Sequence, residues 1–246
     1  MIIRSLAVAP RQGNVFLEAP GLIITGAMRR AVLASVMIIV AQFLVGIYLY
    51  PRMPGRLAIH WGLSGEADGY GSKFLGLLLV PIVSAVILPL FLVLPRIDPS
   101  RGIQRFRGGY DWFVFGFVAF MAYVHGVTLA WNLGLRLDMM RMLAPALGAM
   151  FYGVGALMGR SRLNWFVGIR TPWTLSNESV WDSTHELGGK LFKACGALAL
   201  LGVLAEGWLA LALIMAPVIV ASAYLIYFSY SRYQKLMEAP EETRAP

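Results

Sequence analysis

The chain has 246 residues, 58% of them hydrophobic and only 14% charged, with a mean hydropathy of +0.67. A soluble domain carries about a quarter charged residues, so the composition excludes an ordinary water-soluble fold. The formal charge is +8, yet the basic residues lie in short connections between apolar runs, which fits membrane topology and anionic-lipid contact rather than a nucleic-acid-binding face.

Apolar runs of about 20 residues cross roughly 30 Å of hydrocarbon as helix. Only helices and closed barrels satisfy their backbone groups there, and these runs lack the alternation of barrel strands. The expected fold is therefore all-α: an integral membrane bundle of six helices. Residues 1–28 read as an N-terminal extension. The run after Arg29-Arg30 is full length with no small-residue cleavage site behind it, so an uncleaved first span is expected rather than a signal peptide.

The spans are expected at 31–50, 74–95, 111–133, 142–158, 188–205 and 209–230, with kinks at Pro81, Pro89 and Pro217. This gives an extension (1–28), two spans with an outer loop (29–110), a four-span region (111–230) and a tail (231–246). One side collects Arg4, Arg11, Arg29, Arg30, Arg96, Arg101, Arg105, Arg107, Arg160, Arg162, Arg170, Lys190, Lys193, Arg232, Lys235 and Arg244. The other holds only Arg52, Arg56, Lys73, Arg136 and Arg141. The positive-inside rule then puts both termini in the cytoplasm of a multi-pass cell-membrane protein. Cys195 is the sole cysteine and is expected to be a buried structural thiol.

The outer loop, 51–73, is too particular to be a mere link. Leu57 to Trp61 suit a short strand, and Ser64-Gly65 and Asp68-Gly69 are turn dipeptides. His60, Glu66 and Asp68 are ligand types for zinc or another divalent ion, although their spacing matches no standard motif. The alternative is a folded cap whose carboxylates support turns.

Within the spans, His125, Thr128 and Asn132 share one face of the third helix, and Ser35 and Gln42 are seven apart on the first. Costly intramembrane polar groups face the bundle interior, so these stripes are expected to face each other, as interhelical hydrogen bonds or as a proton or substrate path. Gly148, Tyr152, Gly155 and Gly159 form a packing stripe on the fourth helix.

The inner loop, 160–190, opens a helix at Thr171-Pro172 and another at Ser176-Asn177. Val180, Thr184, Leu187 and Leu191 then recur at helical spacing, which predicts an interfacial helix running into the fifth span. Trp165, Trp173 and Trp181 are expected at headgroup depth, with Arg170 free to hold a carboxylate or a lipid phosphate.

This loop, N-W-F-V-G-I-R-T-P-W-T-L-S-N-E-S-V-W followed by T-H-E-L-G-G, resembles the signature of the SdpI family, membrane proteins named for immunity to a sporulation-delaying toxin. The outer I-H-W-G-L-S-G-E-A-D-G-Y-G-S-K resembles the domain of unknown function that often precedes that signature. Asn164, Gly168, Arg170, Thr171, Pro172, Trp173, Asn177 and Trp181 match the motif. The resemblance implies a non-enzymatic protein that gives immunity to an exported antimicrobial peptide, or signals its presence or that of an envelope signal. An exported peptide would meet the outer face and a cytosolic regulator the inner one.

Two other functions are open on the residues. One is a small transporter or proton-coupled carrier built from inverted three-helix repeats, hinted at by Gly71-Ser72-Lys73-Phe74-Leu75 and Gly188-Gly189-Lys190-Leu191-Phe192. The other is a metal-dependent membrane enzyme using the outer-loop ligands.

Overall fold

The computed structural model describes residues 26–238. In chain order these form α1 (Gly26–Leu49), β1 (Arg56–Trp61), β2 (Ala67–Ser72), α2 (Lys73–Ile97), α3 (Gly102–Arg105), α4 (Arg107–Asn132), α5 (Met139–Met158), α6 (Pro172–Ser176), α7 (Glu178–Leu200) and α8 (Gly207–Glu238). Six helices, α1, α2, α4, α5, α7 and α8, are long and apolar enough to cross a membrane. The shortest, α5, has 20 residues and reaches about 30 Å at ~1.5 Å per residue. Leu33, Met37 and Leu44 of α1 and Ile219 and Val220 of α8 are exposed, as lipid-facing side chains are.

The helices form two groups of three. In the first, α1, α2 and α4 pack on one another; in the second, α5, α7 and α8 do, and the α4–α5 contact joins the groups. The first core is built by Ile39, Leu88, Ile103, Tyr110, Val114 and Val118. Tyr110 also donates its hydroxyl to the Phe91 carbonyl of α2 at 2.8 Å.

The second group is held by glycines. A β-carbon on Gly196 of α7 would lie 2.5 Å from the Gly148 carbonyl of α5, and one on Gly155 of α5 would lie 2.7 Å from the Lys193 amide. The pairs Gly148–Gly196 and Gly155–Gly189 put the two backbones in antiparallel contact, the close approach that small residues allow in lipid.

Several boundaries differ from the sequence expectation for physical reasons. The outer loop holds the strand expected at Leu57 to Trp61 as β1, and adds a second: β1 and β2 pair antiparallel, with Ala58 opposite Tyr70 and His60 opposite Gly69. The fifth long helix starts at Glu178 rather than 188, because Asn177 accepts the Val180 amide at 3.0 Å and caps it there. The interfacial segment and the span are thus one helix. The sixth helix continues to Glu238, through the first part of the expected tail. Of the expected extension and tail, residues 1–25 and 239–246 lie outside the described residues.

The two Gly-Lys echoes fall in unlike places. Lys73 opens α2 directly after a strand, whereas Lys190 lies well inside α7. Both halves share the order helix, long loop, helix, helix, but one loop is a β-hairpin and the other carries a short helix.

Candidate functional site

The bundle presents a built connection at each end, and each spans both helix groups. At one end is the β1–β2 hairpin. Leu57 and Ala58 are fully buried; Leu57 packs with Leu77 and Leu129, and Ala58 with Val127, Trp131 and Met139. Asn132, at the end of α4, accepts the Ala58 amide at 2.9 Å and donates to the Ala58 carbonyl at 3.0 Å. One side chain thereby acts as a further strand residue and clamps β1 to the first helix group. Trp61 meets Trp131 edge to face at 5.8 Å.

The expected ligands do not converge as a set of three. His60 Nδ1 pairs with Asp68 across the hairpin, and both side chains are more than half exposed. Glu66 does not complete that pair: among the described residues no group of three His, Cys, Asp or Glu side chains could hold a metal ion. Register explains this, since Asp68 adjoins Gly69, the partner of His60, while Glu66 lies in the turn beyond Trp61–Ala67.

The intramembrane polar residues Ser35, Gln42, His125 and Thr128 are buried as expected, but their partners differ from expectation. His125 Nε2 meets the Leu77 carbonyl of α2 at 3.0 Å, and Asn132 serves the hairpin. Thr128 is buried, and its carbonyl accepts from Asn132 at 2.9 Å. Ser35 bonds back to Ala31 of its own helix, and the buried Gln42 amide has no hydrogen-bond partner among the described residues. The two stripes therefore do not hydrogen-bond to one another; His125 and Asn132 take backbone partners on neighbouring elements instead.

At the other end lies the signature loop. Asn164 is fully buried and makes four hydrogen bonds within the turn: its amide donates to the Arg162 and Val167 carbonyls at 2.8 and 3.0 Å, and its oxygen accepts the Phe166 and Val167 amides at 2.9 and 2.7 Å. Only a carboxamide supplies both donors and acceptors here. Gly168 follows with φ of +116°, and a β-carbon on it would lie 2.2 Å from His185 Nε2. That imidazole accepts the Ile169 amide at Nε2 (3.0 Å) and meets the Trp181 carbonyl through Nδ1 (2.8 Å). An acceptor at Nε2 and a donor at Nδ1 define the neutral ring. The ring also stacks on Trp181, centroids 3.9 Å apart.

Thr171 and Thr174 form a reciprocal capping box at the start of α6, with Pro172 in the first turn. Thr174 reaches back to the Ile169 carbonyl at 2.8 Å. The Trp173 indole N–H donates to Ser229 of α8, which ties the loop to the last helix. Arg170 donates to the Trp165 carbonyl at 2.7 Å, and both side chains are exposed. Of the three tryptophans expected at headgroup depth, Trp165 is exposed and Trp173 half-buried, but Trp181 is a fully buried core residue beneath His185.

The anchor to the first helix group is a residue that sequence reading passed over. Asp98, 2% exposed, accepts from Ser100 Oγ at 2.9 Å, the Ile103 amide at 3.1 Å and the Trp165 amide at 3.3 Å. Ser100 also donates to the Leu163 carbonyl at 3.0 Å. A β-carbon on Gly102 would lie 1.9 Å from that carbonyl, so loop and turn are in backbone contact. The Asp-Pro-Ser sequence signalled a turn; its partner across the bundle had no local signal. His185 and Ser229 were likewise passed over, although His185 stands one helical turn from Trp181 inside the quoted T-H-E-L-G-G. The loop thus offers a fixed, partly exposed surface of Trp165, Gly168 and Arg170 over a frame hydrogen-bonded through Asn164, Thr174 and His185.

Comparison with known proteins matches these two ends. The SdpI/YfhL protein family model matches residues 160–228, which hold the signature loop, α7 and most of α8. A domain of unknown function, DUF1648, matches residues 37–85, which hold the hairpin and the adjoining halves of α1 and α2. The chain is 24% identical over 203 residues to "Immunity protein SdpI" of Bacillus subtilis (strain 168), covering 82% of this chain and 95% of that protein. No solved structure matches.

Proposed function

We propose that this chain is an SdpI-like multi-pass membrane protein that gives immunity to an exported antimicrobial peptide, or signals the presence of such a peptide or of an envelope signal, without catalysing a reaction. The observation that carries this reading is the extent of the similarity: it runs over 95% of the length of an immunity protein and includes both structured ends of the bundle. The excess of Lys and Arg on the signature-loop side supports cytoplasmic termini in the cell membrane, with the hairpin facing outward.

In this reading the hairpin meets the peptide. Ile59, Leu63 and Tyr70 expose apolar surface there, and apolar side chains exposed on a fixed hairpin suit contact with an amphipathic peptide. The signature loop, through Trp165 and Arg170, meets a cytosolic regulator. The hydrogen bonds of Asn164, Thr171, Asn177 and His185 are spent on the frame and hold these two side chains in place.

The test is expression in a host sensitive to candidate peptides. The wild-type chain is expected to raise survival, and a variant carrying Ile59→Ser and Tyr70→Ser is expected to lose that protection while accumulating in the membrane at wild-type level. Unchanged killing with the wild-type chain across the peptides tried, together with no cytosolic protein recovered on it, would count against the reading.

A further inference from the structure

The seam between the two helix groups is open to the surroundings. A groove of about 830 Å³ runs along it, walled by Gly116 and Ala119 of α4 and by Ala149 and Gly153 of α5. At its signature-loop end it runs into a second cavity of about 530 Å³, and the two share Gly108, Gly109 and Arg160. The second cavity is lined by Arg105, Arg107, Arg160 and Arg162. An apolar groove along residues 108–123 of α4 and 145–160 at α5 thus ends beside a cavity lined by four arginines.

The glycines of this groove differ from those that hold α5 to α7. A β-carbon on Gly108 or Gly116 would meet nothing within 4 Å, and one on Gly153 only Phe113 Cδ2 at 4.0 Å. Glycine inside a helix costs about 1 kcal/mol relative to alanine. No close approach within the chain accounts for it at these positions, so what these glycines provide is space.

The charges are arranged for an anion. Arg107 lies against Asp111 at 2.7 Å, and its Nη2 is buried with no partner among the described residues. Arg105–Glu178 at 3.6 Å and Arg162–Asp182 at 3.4 Å are exposed pairs, of the kind worth little and easily redirected. Arg160 has no carboxylate partner among the described residues and stands where groove and basic cavity meet.

We propose that this seam is a binding site for an anionic glycerophospholipid, its phosphate on the arginine cluster around Arg160 and its acyl chains in the α4–α5 groove. Guanidinium groups match phosphate oxygens in bidentate geometry, and basic pockets between transmembrane helices take acidic headgroups. A second copy of the chain would leave the arginines opposite its own arginines, since a symmetric contact presents the same patch twice. Charge complementarity therefore selects lipid. The inference does not depend on the immunity reading.

The test uses the full chain purified in detergent, stripped of lipid and titrated with dioleoylphosphatidylglycerol or dioleoylphosphatidylcholine, with bound lipid counted by native mass spectrometry. The wild-type chain is expected to retain phosphatidylglycerol in preference. Arg160→Gln should lower that preference on the order of fivefold, the effect of one surface arginine, and Arg160→Lys should keep most of it. Gly116→Leu and Gly153→Leu, which fill open space, should remove bound lipid of both kinds while leaving the thermal midpoint near wild type. Equal retention of the two lipids by the wild type would overturn the headgroup assignment. Full retention by Gly116→Leu would overturn the groove. Displacement of the lipid by glycerol phosphate alone would show a phosphate site without acyl recognition, and a lipid-free dimer lost in Gly116→Leu would show a second copy in the seam; either result overturns the proposal.

Discussion

Gly168 stands so close to His185 that the hydrogen of one and the imidazole of the other share a space no side chain could enter: a β-carbon would lie 2.2 Å from Nε2. The positive φ of Gly168 turns the chain so that the next amide, of Ile169, points at that same nitrogen. Gly168→Ala is therefore penalised twice, by a left-handed backbone and by a clash. A loss of about 1–3 kcal/mol is expected from the backbone alone, with more from the displaced imidazole. Thermal unfolding in detergent would measure it, and limited proteolysis should show cleavage between residues 160 and 177 before any other segment. A wild-type midpoint would refute the close approach.

Trp173 and Ser229 couple the loop to α8. Trp173→Phe and Ser229→Ala each remove the same hydrogen bond, so the double variant should be less destabilised than the sum of the single ones, by about 0.5–1.5 kcal/mol. Trp181→Phe provides the contrast. Its indole nitrogen has no partner among the described residues, so only ring volume and stacking on His185 are lost.

Asn132 should control the hairpin. Asn132→Leu leaves the amide and carbonyl of Ala58, a fully buried residue, without their side-chain partner, at a cost of about 1–3 kcal/mol. Hydrogen exchange is the direct readout: amides of 56–61 and 67–72 should exchange faster while those of α7 stay at wild-type rates. Asn132→Asp keeps the acceptor and loses the donor, so it is expected to fall between the two.

Gly196→Val tests the antiparallel glycine contact. Its side chain would have to enter the backbone of α5, with the Gly148 carbonyl 2.5 Å and the Tyr152 amide 2.7 Å from the first added carbon. Loss of folded protein from the membrane is expected. Gly116→Val, in open space, should be tolerated. Similar yields for the two would show that the close contact does not hold.

The spans were legible in the sequence because a 20-residue apolar run has few alternatives in lipid. So were the caps at Thr171 and Asn177, which depend on neighbours three residues away. Which faces turn inward was legible only at polar positions, where Ser35, Gln42, His125 and Thr128 are buried as expected. Where both lipid and core are apolar, a buried tryptophan such as Trp181 has the same local pattern as an interfacial one, and its position is decided by His185 and Gly168. The polar stripes misled for a related reason: His125 and Asn132 found backbone partners, which no side-chain pattern reveals. Asp98 reads as an ordinary surface turn because its distant partner, the Trp165 amide, lies 67 positions along the chain.

That separation has a consequence in time. During synthesis the turn at residues 98–103 can close on itself through Ser100 and Ile103 as soon as it leaves the ribosome. The hairpin is sealed next, once Asn132 has emerged. The Asp98 carboxylate, however, waits for a chain segment that emerges only after two more helices, α4 and α5, have been made. Until then water, rather than protein, must serve it. The newborn chain thus passes through a stage in which its first three helices are assembled and one end is finished while the other stands open, and the arrival of Leu163 and Trp165 is the event that ends it.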